Sequence, residues 1–249
     1  MKTKLVITDL TRMYQGRVCV AGYDKDHKAV RPVLPPPGIP ETSLIRDDRP
    51  IIFPFALVEY DLLESKSEPP HTEDVRYVGD SPRFIRTVKN REEVLNWSVF
   101  ESVAAIFEQP IHQDPGFYVM DCQGPHSMGT IHPHKIIKAK YEKGIEGTWD
   151  YRLLFLDGLG DFYRLKITDL TWQYYCHNRR GAGKDQSQMA EDLTKILKSS
   201  KVYLRMGFAR GWQKFPDRCY LQITGIYTFP DYLEGRTFVE FKAKDKINL

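Results

Sequence analysis

Apolar and polar residues alternate along much of the chain, the pattern of β-strands with one buried face. Strands are predicted on this basis, or from runs of β-branched residues, at 5–11, 17–22, 30–34, 51–63, 75–78, 151–156, 162–167, 201–206 and 218–226. Pro32 cannot donate to a ladder, which predicts an edge position for the strand at 30–34. The loop 157–161 contains two glycines between two of these segments and predicts a β-hairpin. The chain is therefore predicted to be mainly β.

The alternation at 201–206 also bears on function. Tyr203 and Arg205 fall on one face of this strand, opposite Val202 and Leu204. An apolar face packs on a core and a polar face meets water. The pattern therefore predicts that Tyr203 and Arg205 belong to an exposed surface.

Two segments have helical periodicity instead. Asn90 followed by Glu93 is a capping-box pattern, and apolar residues at helical spacing then continue to Pro110. This predicts one linking helix. A second helix is predicted from about Ser187 to Ser199. The apolar faces of both helices are interpreted as core.

A repeat suggests that the architecture is duplicated. The segment Leu5–Thr11 returns as Leu165–Thr171 with six of seven residues identical. Short strands with interposed helices are typical of small, partly open barrels such as the OB-fold. The predicted fold is mainly β (α+β), with two small OB-like barrels, a linking helix and one helix inside the second module. The predicted modules are 1–88 and 116–249, joined by 89–115, with the repeated segments as equivalent strands.

Several motifs near the two ends carry a family resemblance. They are Thr8–Met13, Gly16–Gly22, Val30–Val33, Leu204–Arg210, Cys219–Ile226 and Thr228–Asp231. In these motifs the sequence resembles the dual OB-containing domain family of bacteria and archaea; the middle third is unmatched. The resemblance implies two OB-folds and a nucleic-acid-binding or sensing role within multi-gene conflict or defence systems. It implies no enzymatic activity.

Composition limits the cellular setting. No run approaches the roughly 18 apolar residues of a membrane helix, and the segment 1–10 is interpreted as a strand, not a secretory signal. A cytoplasmic protein with reduced cysteines and no membrane partner is therefore expected. No cofactor is predicted.

The formal net charge of +3 is unevenly distributed. The window 41–74 holds nine acidic and three basic residues, whereas 164–218 holds twelve basic and five acidic residues. A basic stretch attracts polyanions when its cations share a face. Cations interleaved with aromatics then predict binding of single-stranded nucleic acid, or of a nucleotide, by stacking and phosphate contacts. The candidate residues are Arg12, Tyr14, Arg17, Arg31, Trp172, Tyr174, Arg179, Arg180, Lys184, Tyr203, Arg205, Arg210, Trp212 and Lys214.

Two other functions remain open. A metal- or carboxylate-dependent phosphodiester hydrolase is suggested by His126, His132 and His134 with Cys122 nearby. Because Pro133 stands between His132 and His134 and no close acidic partner marks a water-activating site, no metal is predicted there. A protein-interaction subunit is suggested by the proline-rich loop 35–40 and the acidic window that follows it. A turn or capping role explains the carboxylates of the repeat, Asp9 and Asp169, without catalysis.

The sequence Arg180-Gly-Ala-Gly-Lys184 is not a Walker A motif. Asn178 stands where the first glycine should be, and Asp185 follows the lysine in place of serine or threonine. A looser role remains, in which this basic glycine loop contacts phosphate.

Overall fold

A computed structural model describes residues 1–143, 149–181, 185–211 and 213–242. The protein is mainly β, with 46% of residues in strands and 20% in helices, as predicted. Within the described residues no helix has the length and apolarity needed to cross a membrane. Buried apolar residues from both sheets form one large core.

The first sheet contains a closed five-stranded barrel. The seven strands of the sheet are β1 (Lys2–Arg12), β2 (Arg17–Tyr23), β3 (Ala29–Val33), β4 (Ile39–Pro40), β7 (Ala56–Ser65), β8 (Asp74–Tyr77) and β9 (Arg83–Thr87). A separate hairpin is formed by β5 (Ile45–Arg46) and β6 (Arg49–Pro50). The barrel runs β1-β2-β3-β8-β7 and closes where β7 pairs with β1. Only β3 and β8 run parallel within it. Two 3-10 turns lie at Tyr14–Gly16 and Glu41–Leu44.

The edge position predicted for the strand containing Pro32 is wrong, because β3 lies inside this ring. Its pairing with β2 ends at Val30, so the side that faces β2 needs no N–H from Pro32. On the other side Arg31 donates its backbone N–H to the Glu73 carbonyl at 2.8 Å.

Gly22 permits the tight contact between β1 and β2. A Cβ at this position would lie 2.2 Å from the carbonyl oxygen of Val6. The register shifts between Ile7 and Asp9, opposite Gly22, as in a β-bulge. The first strand is thereby bent where it meets the second half of the molecule.

The second sheet has nine strands among the described residues. They are β10 (Val99–Phe100), β11 (His112–Gln113), β12 (Phe117–Met120), β13 (Met128–Ile131), β14 (Lys135–Lys143), β15 (Trp149–Leu156), β16 (Phe162–Ile167), β17 (Lys201–Phe208) and β18 (Arg218–Phe229). Five of them follow the order β14-β15-β16-β18-β17, with β16 parallel to β18. This is the same pairing order as in the first barrel, including the one parallel pair. The hairpin predicted around 157–161 is confirmed as β15 and β16.

Five α-helices accompany the sheets in the part of the chain that the structure describes. They are α1 (Arg91–Asn96), α2 (Val103–Phe107), α3 (Leu170–Gly181), α4 (Gln186–Lys198) and α5 (Phe238–Lys242). The second predicted helix is confirmed as α4, which Asp185 caps by accepting from the Gln188 N–H at 2.9 Å. Helix α4 packs against β14, where the Ala139 N–H donates to Thr194 Oγ1 at 2.9 Å. This bond satisfies one backbone N–H on the edge of β14 that pairs with no strand in the described residues.

The prediction of a single linking helix is wrong. Residues 99–100 form β10, which pairs parallel with β13 and separates α1 from α2. The Asn90 side chain bonds to Glu93 Oε2 at 3.0 Å and caps no backbone N–H. The prediction of one helix in the second module is also wrong, since α3 and α5 were missed.

The repeated segments are not equivalent strands. Leu5–Thr11 lies wholly in β1, whereas the second copy ends β16 at Ile167 and begins α3 at Leu170. The two copies instead meet, because Thr11 forms an antiparallel bridge with Asp169, and Arg12, the residue after the first copy, donates its N–H to the Thr168 carbonyl at 2.8 Å. The prediction that the two repeated segments are equivalent strands is therefore wrong, although the two sheets do share one pairing order.

Candidate nucleic-acid interface

A charged face covers the outer side of β14, β15 and β16. In β15, Tyr151, Leu153 and Phe155 are buried, whereas the alternate residues Asp150 and Arg152 are partly exposed. Arg152 pairs with Lys140 of β14 on one side and with Lys166 of β16 on the other. The register therefore places cations from three strands in one row.

This surface, the cation face, has a net charge of +3, since it holds five cations and two carboxylates. Its members are Lys138, Lys140, Glu142, Asp150, Arg152, Arg164 and Lys166. The whole chain also carries +3. The outer face of three adjacent strands thus carries a net charge equal to that of the whole chain.

Two carboxylates are shared among the cations of this face. Glu142 accepts a short hydrogen bond from Arg164 and lies 3.5 Å from Arg152 and 3.7 Å from Lys140. Asp150 lies 2.7 Å from Lys166. Because the side chains of Arg164 and Lys166 are 47% and 42% exposed, solvent screens these pairs, and an exposed pair of this kind stabilises a fold by only about 0–1 kcal/mol.

An aromatic row continues the cation face across β18, β12 and β11. Lys166 pairs with Gln222, and Tyr220 lies two residues away on the same side of β18. Tyr220 pairs with Tyr118, which pairs with His112. The same sheet surface therefore carries cations at one end and aromatic rings at the other.

Two predicted surface residues are buried where the two sheets meet. Arg205 is fully buried and pairs with Asp9 at 2.8 Å, and its Nη1 also donates to Thr130 Oγ1 at 2.9 Å. The Tyr203 hydroxyl donates to Glu92 Oε1 at 3.0 Å. The strand predicted at 201–206 is β17, and the prediction that one of its faces is exposed is wrong. Strand β17 is covered on one side by the core and on the other by the first barrel with α1.

Three further candidates are also buried, so they do not form an exposed surface. Arg31 forms an ion pair with Asp74, Trp172 packs in the core, and Tyr174 donates its hydroxyl to Glu41. Alternation of cations and aromatics cannot distinguish such residues from surface ones, because contacts distant in sequence cover them.

Other candidates reach the surface away from the cation face. Tyr14 is 85% exposed, Lys214 is exposed and Arg17 is partly exposed. Arg12 lies over the Tyr174 ring at 4.4 Å, and Arg210 forms an ion pair with buried Asp74. Arg179 and Arg180, at the end of α3, lie over the rings of Tyr175 and Tyr141. Lys184 and Trp212 lie outside the described residues.

Asp9 and Asp169, the two aspartates of the repeat, lie at the junction, the region where β1 of the first sheet meets β17 and β18 of the second. Asp169 caps α3 by accepting from the Thr171 and Trp172 N–H groups at 2.8 and 3.2 Å, and its other oxygen accepts from Ile226 at 2.9 Å. Burial raises the pKa of Asp169 to about 7, although these bonds favour the charged form. The capping role is found for Asp169, whereas Asp9 neutralises Arg205.

The histidine cluster is dispersed. His132 bonds to the Val202 carbonyl at 2.6 Å, and His126 lies 3.8 Å from Glu108. Among the described residues no three His, Cys, Asp or Glu side chains are grouped closely enough to hold a metal ion. The prediction of no metal at this cluster stays a prediction.

No protein-family model matches the chain, and no curated protein sequence matches it.

The residues of the cation face were missed in the sequence. Lys138, Lys140 and Arg152 precede the basic window, and they become neighbours of Arg164 and Lys166 only through strand pairing. One signal was available, because Arg152 alternates with the buried Tyr151 and Leu153 in a hairpin that was itself predicted.

Proposed function

We propose that the protein binds single-stranded nucleic acid through the cation face. The observation that carries this proposal is the net charge of +3 on the outer face of three neighbouring strands. Lysines and arginines that neutralise phosphates release condensed counterions, which favours binding. The arginines and lysines of this face are already aligned and can exchange a shared carboxylate for a phosphate.

The strand order supports an OB-type fold for both halves. In each half the first, second and third strands are followed by the fifth and then the fourth, with the third and fifth strands parallel. OB-folds bind oligonucleotides on the face of their second and third strands. In the second half these are β15 and β16, which carry Arg152, Arg164 and Lys166.

The test is fluorescence anisotropy with single-stranded DNA and RNA across a salt series. The variant replaces Lys138, Arg164 and Lys166 by alanine. If all three contact phosphates, the slope of log affinity against log salt flattens by about 2, since each single-strand contact contributes about 0.7. The matched control replaces three exposed lysines of the first barrel, Lys4, Lys25 and Lys28, by alanine.

Equal changes in both triple variants would show that only total charge matters and would refute the assignment to this face. Absence of wild-type binding to every oligonucleotide at about 10⁻⁴ M would refute nucleic-acid binding itself.

The hydrolase, the interaction subunit and the place in a conflict system stay predictions. No distance or contact described above favours one of them.

A further inference from the structure

The aromatic row ends in a stack of planar groups that is open on one side. The Arg218 guanidinium lies over the Tyr118 ring at 4.7 Å. The His112 ring stacks on Tyr118 with centroids 5.2 Å apart and an interplanar angle of 26°. Since β11 and β18 lie on opposite edges of β12, His112 and Arg218 approach Tyr118 from opposite sides.

His112 forms the outer end of this stack. Both residues of β11 are exposed, and β11 pairs only with β12 in the described part of the chain. Arg218 at the inner end is fixed, because its Nη1 donates to the Asp114 carbonyl at 2.9 Å and lies 3.3 Å from Asp114 Oδ2. The stack is therefore ordered at its base and solvent-facing at its tip.

The stack adjoins the cation face. Phe117 of β12 contacts Tyr163 of β16, with ring centroids 5.0 Å apart. The next residue of each strand points to the opposite side of the sheet. Tyr118 and Arg164 therefore emerge together on the outer surface, so a chain whose phosphates follow the cations reaches the stack.

We propose that His112 receives an unpaired nucleobase that extends the Arg218–Tyr118–His112 stack. This inference rests on the proposed function and narrows its ligand to a single strand. Bases within a duplex are stacked on each other and cannot offer a free face to a side chain, whereas an unpaired base can. Any base has a planar face, so the site tolerates all sequences.

The experiment compares His112→Ala and His112→Phe in binding to a 12-nucleotide single strand and to the duplex of the same length. His112→Ala is expected to weaken single-strand binding about 5- to 150-fold with an unchanged salt slope, as for loss of one stacked base. His112→Phe keeps a planar ring and is expected to bind like the wild type.

The matched control is His27→Ala. His27 is also exposed and stacks on an aromatic ring, Trp97, at 4.1 Å, but it lies in the first barrel. Wild-type affinity of His112→Ala, or equal wild-type affinity for strand and duplex, would overturn the stacking site. If the cation-face variant still loses affinity in that case, the proposed function survives without it.

Discussion

Arginines of the second sheet pair with carboxylates in two regions that differ in their contact with water. At the junction, the side chains of Arg205 and Asp9 are 0% and 5% exposed, whereas Arg164 on the cation face is 47% exposed. A buried charge that loses its partner is left uncompensated in a medium of low polarity. An exposed cation can change partners at little cost. Exposure, more than residue type, therefore separates structural arginines from those available to a ligand.

The largest expected effect is at the junction. Arg205→Met leaves Asp9 buried without its counter-ion, and we expect the free energy of unfolding to fall by about 3–5 kcal/mol. Urea denaturation measures this. Adding Asp9→Leu removes the second charge and is expected to recover part of the loss. A loss below about 1 kcal/mol for the single variant would contradict the junction's dependence on this pair.

The second prediction concerns pH at the same junction. Burial raises the pKa of Asp169 from 3.8 to about 7, so the folded protein holds a proton that the unfolded chain releases between these values. Stability contributed by this group is therefore present at about pH 4 and lost as pH rises to 7, by at most about 1.4 kcal/mol per unit.

Asp169→Ser is the matched variant, because serine can still cap α3 but does not titrate. Unfolding curves from pH 4 to 7 should show the wild type losing stability relative to this variant. Parallel pH profiles would mean that the carboxyl is ionised throughout.

The contrast between the two regions also explains what could be predicted from sequence. The hairpin of β15 and β16 and the helix α4 were predicted because the glycine-bearing loop of the hairpin and the apolar periodicity of the helix are local signals. The start of α3 was missed because Leu165–Thr171 copies a true strand, which hid the local bonds by which Asp169 caps the helix through the Thr171 and Trp172 N–H groups. Arg205 was misassigned because its partner Asp9 lies 196 residues away in the sequence.

A smaller effect is expected from one junction hydrogen bond. The Tyr227 hydroxyl donates to the Thr8 carbonyl at 2.6 Å, and both groups are buried. Tyr227→Phe leaves that carbonyl unsatisfied and is expected to cost about 1–2 kcal/mol in thermal or urea unfolding. Tyr14→Phe, at a ring that is 85% exposed, is the control and should change nothing measurable. Equal free energies of unfolding for Tyr227→Phe and Tyr14→Phe would show that this hydrogen bond does not stabilise the junction.

The smallest expected effect is on the cation face. Arg164→Ala removes an exposed partner of Glu142, which retains Arg152 and Lys140 nearby. The free energy of unfolding is expected to change by no more than about 0.5 kcal/mol. A loss of 2 kcal/mol in the same urea assay would show that the face is structural and would erase the distinction between the two regions.

The buried pair also limits how the chain can be divided. Asp9 belongs to the first strand of the first barrel and Arg205 to β17, so a cut in the connection at 88–98 separates the two charges. Each fragment would then present an unpaired charged group within an apolar surface that normally faces the other fragment. We therefore expect that neither half folds as an independent domain that could be transferred into another protein. We expect the two halves to stay in solution only when they are co-expressed and reassociate.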